Sequence, residues 1–140
     1  MELESVDGLL DEIRKDTIAT FLLRKSHITE VQLDTLLASR AEGNLEFKSS
    51  LREKHKVTKG AFGRTLKQAQ HNAEASVYSI FLLSYLNLIG PTAVNQLVRN
   101  TRMLAELKAA SPRAEDQLRV LEAMQEFVET FATGERKLIV

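Results

Sequence analysis

A chain of 140 residues, 44% hydrophobic and 27% charged, has the composition of one ordinary globular domain and not of a disordered segment. It has no cysteine, which excludes a disulfide scaffold, a thiolate nucleophile and every Cys-ligated zinc or iron–sulfur centre. Its 19 basic and 19 acidic side chains cancel to a formal net charge of +0.

The cancellation is uneven along the chain. Residues 1–47 carry ten acids and five bases, and residues 72–140 carry eight acids and seven bases. Between them lies a basic island of Lys48, Arg52, Lys54, Lys56, Lys59, Arg64 and Lys67 against the single acid Glu53. Such an island is either a solvated helix face or an anion-binding patch, for which nucleic acid is the natural partner.

Apolar periodicity is helical almost everywhere, and glycine (6) and proline (2) are scarce, so the expected fold is all-α, a single domain of five to six helices. The spacing of Leu10, Ile13, Thr17 and Phe21 predicts a first helix over Leu3–Lys25. The acidic stretch Met1–Asp16 lacks the apolar core of a signal peptide, and we read the chain as cytoplasmic. Ser26-His27 breaks the helix. Thr29 then caps a second one, with Gln32 completing a capping box and Ile28 stapled onto Leu33. Leu33, Leu36 and Leu37 are its expected inner face, and Gly43-Asn44 its stop.

Ser50 with Glu53 forms a second capping box, opening a short helix Leu51–His55, and Lys56-Val57 is a tight turn. Thr58 caps a long helix from Lys59, with an expected buried stripe of Phe62, Leu66, Ala69, Ala73, Val77 and Ile80. Nothing stops it before Gly90-Pro91, so a bend or break is expected at Ser76–Ser79. Val77–Ile89 reads as buried. It is shorter than the roughly 20 residues of a membrane span and is interrupted by Ser79, Ser84 and Asn87.

A fifth helix, Thr92–Ala110, presents Val94, Leu97, Val98, Thr101, Leu104 and Ala105. Ser111 as N-cap and Pro112 at the first helical position start a sixth, Pro112–Ala132, which Gly134 ends before the apolar tail Lys137–Val140. Its seam is Leu118, Leu121, Met124, Val128 and Phe131, flanked by Val120 and Phe127. That seam either completes the chain's own core or forms the interface of a homodimer.

Catalytic patterns are missing. Gly60 and Gly63 make a bare GxxG inside a helix, and His27, His55 and His71 lack metal-ligand spacing. No cofactor, metal or enzymatic step is therefore expected. Asp11-Glu12 and Glu115-Asp116 suit the first turns of helices, where the dipole favours acids.

The informative segment is Leu51–Gln70, LREKHKVTKGAFGRTLKQAQ. It resembles the helix-turn-helix of bacterial and archaeal transcription regulators. The resemblance makes Leu51 the anchor of the first helix, Val57 the apolar residue of the turn, and Thr58 the cap of a recognition helix anchored by Phe62 and Leu66. It departs at Arg52, where a small residue is usual, at Lys56, where Gly is usual, and in having no evident β-wing.

Helical geometry agrees with it. At about 100° per residue, Gly60, Gly63, Arg64, Lys67, Gln68 and His71 fall between about 100° and 240° from Phe62. They share the outer face, as a helix seated in the major groove requires. The resemblance implies DNA contacts from Lys54, Lys56, Thr58, Lys59, Gly60, Gly63, Arg64, Lys67, Gln68 and His71, with double-stranded DNA and a second copy of the chain as partners. The alternative is a helical adaptor that binds a protein through Val77–Ile89 or its C-terminal helices, its basic segment recruiting an acidic partner.

Overall fold

The computed structural model describes residues 11–40, 43, 48, 57–110 and 113–133, with only the backbone of Ala132. Among them there is no strand, and the fold is all-α. Five helices have both ends in this set: α1 Thr17–Lys25, α2 Glu30–Ser39, α3 Lys59–Tyr85, α4 Pro91–Ala110 and α5 Ala114–Thr133. Residues 11–15 are helical as well. The chain forms two compact units, Met1–Ser76 and Val77–Val140.

In the first unit, the single helix expected over Leu3–Lys25 is interrupted at Asp16. This residue is extended (φ −83°, ψ 114°), and its carboxylate accepts the Ala19 amide as the N-cap of α1. A short acidic side chain competes for backbone amides in this way, and the 3–4 apolar spacing does not register a break of one residue. α2 opens as expected on Thr29, whose hydroxyl accepts the Gln32 amide at 3.1 Å while Gln32 Oε1 accepts the Thr29 amide at 3.2 Å. It ends at Ser39 with Arg40 as C-cap, ahead of Gly43, which adopts φ 129°.

The inner face of α2 differs from the expected leucine stripe. Asp34, Thr35 and Ala38 are buried, whereas Leu33, Leu36 and Leu37 are half-buried. The small Ala38 leaves room for the ring of Phe62; both are 0% exposed, with Leu37, Val57 and Leu66 packed around them. Thr35 sits fully buried because its hydroxyl donates to the Val31 carbonyl at 2.8 Å.

α3 is tied to the turn before α2 by Asn72. Its amide donates to the His27 carbonyl at 3.0 Å and to Gln32 Oε1 at 3.1 Å. Of the expected inner stripe of α3, Phe62 and Ala69 are buried and Leu66 and Ile80 half-buried, but Ala73 and Val77 are exposed.

α3 runs as one helix through Ser76–Ser79, where a bend or break was expected, so the helix does not break there. It stops at Tyr85, before Gly90-Pro91, because Asn87 takes the left-handed conformation (φ 59°). The Asn87 amide then donates to the Ser84 carbonyl at 3.1 Å and the Leu88 amide to the Leu83 carbonyl at 2.8 Å. This is a Schellman closure with asparagine in the place glycine usually takes.

In the second unit, α4 starts at Pro91, with the Gly90 carbonyl accepting the Val94 amide. Its half-buried positions are Ala93, Val94, Leu97, Asn100, Met103, Leu104 and Leu107, whereas the expected Val98, Thr101 and Ala105 are exposed. On α5, Leu121 and Met124 are buried, as is Ile89 ahead of α4. Phe127 and Phe131 are half-buried, with ring centroids 5.6 Å apart. Val77–Ile89 is not the buried segment its composition suggests, since of its large side chains only Ile89 is buried. The expected elements at Leu51–His55, Ser111-Pro112 and Lys137–Val140 lie outside the described residues.

Candidate nucleic-acid interface

The N-terminal half of α3 has two faces that its packing separates. Thr58 begins the helix: its hydroxyl accepts the Ala61 amide at 3.1 Å and its carbonyl the Phe62 amide at 2.9 Å. The capping bond uses an acceptor lone pair, leaving the hydroxyl hydrogen able to donate to a phosphate oxygen. The first amides of a helix have no intrahelical carbonyl to meet, and they add a partial positive charge at Lys59 and Gly60.

Phe62 and Ala69 fix one face of α3 against the first unit's core. On the opposite face Gly60, Arg64, Lys67, Gln68 and His71 are exposed and Gly63 is half-buried, while Lys59, exposed in the first turn, lies about 60° from Phe62. The structure thus places six of the ten residues singled out for DNA contact on one outer face, with Thr58 and Lys59 exposed at the helix start beside it. Lys54 and Lys56 lie outside the described residues, as does the first helix of the expected helix-turn-helix. Val57 does pack on the Ala38–Phe62 cluster, the position the motif gives its turn residue.

The electrostatics of this face are one-sided. There is no Asp or Glu from Lys59 to Ala73. The ion pairs of Arg14 with Asp11 and Glu30, and of Arg113 with Asp116, do not involve Lys59, Arg64 or Lys67. Arg64 and Lys67 on the outer face and Lys59 at the helix start, with no acid between them in sequence, concentrate positive potential along this end of α3. A Cβ built at Gly60 or Gly63 meets no atom within 4 Å. The glycines are therefore not imposed by packing inside the chain.

Comparisons with known protein families, curated proteins and solved structures returned no match. The site therefore rests on its own geometry. Among the described residues no three His, Asp or Glu side chains are grouped to hold a metal ion, and no helix is long and apolar enough to cross a membrane.

The five residues of the expected C-terminal seam differ in exposure. Leu121 and Met124 are buried within the single chain and Phe131 is half-buried, whereas Leu118 and Val128 are exposed. What the sequence did not reveal is an exposed apolar run on the C-terminal half of α3, from Val77 to Leu86. The absence of any charged residue between Glu74 and Arg99 was its available signal.

Proposed function

We propose that the chain is a cytoplasmic DNA-binding protein, a transcription regulator that seats the outer face of α3 in the major groove of double-stranded DNA. The observation that carries this reading is the exposed, acid-free pair Arg64 and Lys67 beside Gly60 and Gly63, opposite the buried Phe62, with Lys59 exposed at the helix start. Arg64 and Gln68 are one turn apart, and such side chains pair with guanine and adenine edges. Lys59 and Lys67, with Lys54 and Lys56 before the helix, supply phosphate contacts.

The test is fluorescence anisotropy on labelled duplexes at several salt concentrations. Log affinity is expected to fall against log salt by about 0.9 per phosphate neutralised, which is a slope of roughly −4 for each chain bound. Arg64→Ala is expected to cost about 1–3 kcal/mol on a preferred site and less on random sequence, while Lys56→Ala weakens all sequences alike and lowers the slope by about one. Absence of binding at low salt sinks the reading.

The glycines give a second measurement with opposed signs. Each exchange to alanine meets open space, and removing helical glycine stabilises by roughly 0.5–1 kcal/mol. The double variant Gly60→Ala, Gly63→Ala is expected to raise the thermal midpoint while weakening DNA binding, because added methyls hold the backbone off the groove. A more stable variant with unchanged affinity removes both glycines from the interface.

A helical adaptor is the second reading. It is favoured by the exposed side chains of Val77, Tyr78, Phe81, Leu82, Tyr85 and Leu86, a surface that suits protein rather than DNA.

A further inference from the structure

The C-terminal half of α3 carries an apolar face that the described residues leave uncovered. Tyr78 is 70% exposed, Phe81 62%, Leu82 58% and Tyr85 88%. These four stand at i, i+3, i+4 and i+7, one stripe along the helix. Tyr78 and Phe81 meet edge to face at 6.4 Å, so part of the stripe is already ordered. Val77 and Leu86 flank it, about half exposed.

We propose that this stripe is a self-association surface, covered by the same stripe of a second copy related by a two-fold axis. Charge supports that choice of occupant. No Asp, Glu, Lys or Arg occurs from Ala75 to Val98. An acidic or basic partner finds no complement on this surface, and two copies meet on it without like-charge repulsion. A helix lying on lipid headgroups carries Lys and Arg on its polar face, and this segment has none.

Area supports it too. At about 200 Å² for a whole aromatic side chain, Tyr78, Phe81 and Tyr85 alone leave roughly 400 Å² uncovered. With Leu82 the stripe offers about 500 Å² per copy, roughly 1,000 Å² over two copies, the size at which a specific interface begins. The unit that carries it has little else: Ile89, Leu121 and Met124 are its buried hydrophobics among the described residues. A unit of this size, with so few buried side chains, gains a fuller core by pairing. The i, i+3, i+4, i+7 spacing suits packing of the two helices along their length.

Self-association here needs no nucleic acid, so its failure leaves the DNA reading standing. The test is sedimentation equilibrium of the full chain without DNA. The native chain is expected to be a dimer at micromolar concentration. Phe81→Glu combined with Tyr85→Glu is expected to weaken the dimer on the order of 100-fold, since each buries an unpaired carboxylate at the contact. Both sites are solvent-exposed in the single chain, so the helical circular dichroism should persist. Leu118→Glu, on an exposed position of α5, should leave the dimer intact.

Because the chain has no cysteine, Leu82→Cys places a unique thiol at the middle of the stripe. A bis-maleimide spanning about 10 Å, the separation of packed helix axes, should join two copies through it. Lys108→Cys on α4 should not be joined. A monomeric native chain overturns the proposal, whether it binds vesicles, another protein or nothing. So does a dimer that survives both glutamates, or one in which the Leu82→Cys thiols stay unjoined.

Discussion

Phe62→Ala is expected to remove about 3–5 kcal/mol of stability, the usual cost of emptying an aromatic site in a packed core. Phe62 is fully buried and is the largest side chain in its cluster, surrounded by Leu37, Ala38, Val57 and Leu66. Small neighbours such as Ala38 cannot extend into the void. For a chain of this length, whose total stability is of the order of 5–15 kcal/mol, the loss is a large fraction of the whole. Urea unfolding followed by circular dichroism measures it, and a loss below about 1 kcal/mol would show that Phe62 does not anchor α3. Arg64→Ala, two residues away on the opposite face, should stay within about 0.5 kcal/mol of the native chain. The contrast separates a residue that positions the helix from one proposed to use its outer face.

What the sequence made legible is mostly local. Thr29 with Gln32, and Thr58 before Lys59, announce helix starts because one short side chain and the amide three residues on are enough to define a cap. Gly90-Pro91, read as the break before a helix from Thr92, falls within one residue of the start of α4 for a different reason: proline fixes φ and brings no N–H, which suits a first helical position. The outer face of α3 was legible because Phe62, Leu66 and Ala69 set its phase at 3–4 spacing. Asp16 and Asn87 were not legible. Each ends a helical run by one residue's conformation, and either residue type also occurs inside helices.

Burial was the least legible property. Tyr78, Phe81, Leu82 and Tyr85 have the composition and period of a core stripe, yet the single chain leaves them in water. Periodicity says that a face is apolar; it does not say which surface covers it. On α2 the error ran the other way. The leucines dominate the pattern, but Thr35 and Ala38 go deepest: close approach to Phe62 favours the small Ala38, and the Thr35 hydroxyl is satisfied within its own helix by the Val31 carbonyl.

Leu121→Glu carries the other large effect. Leu121 lies on the inner side of α5 with Met124, both buried within the chain, and Val120, Phe127 and Phe131 half-buried along the same helix. A carboxylate at this position loses the leucine's packing and sits in an apolar site without a partner, costing roughly 3–5 kcal/mol. The expected result is loss of helical signal and of amide protection along α5, not release of a folded monomer. Leu118→Glu is the control. Three residues earlier on α5 and more than half exposed, it should change stability by no more than about 0.5 kcal/mol. If Leu121→Glu instead stays folded and only changes the mass measured by light scattering, Leu121 belongs to a contact between chains. The self-association surface would then lie on α5, and the exposed stripe from Tyr78 to Tyr85 would need another occupant.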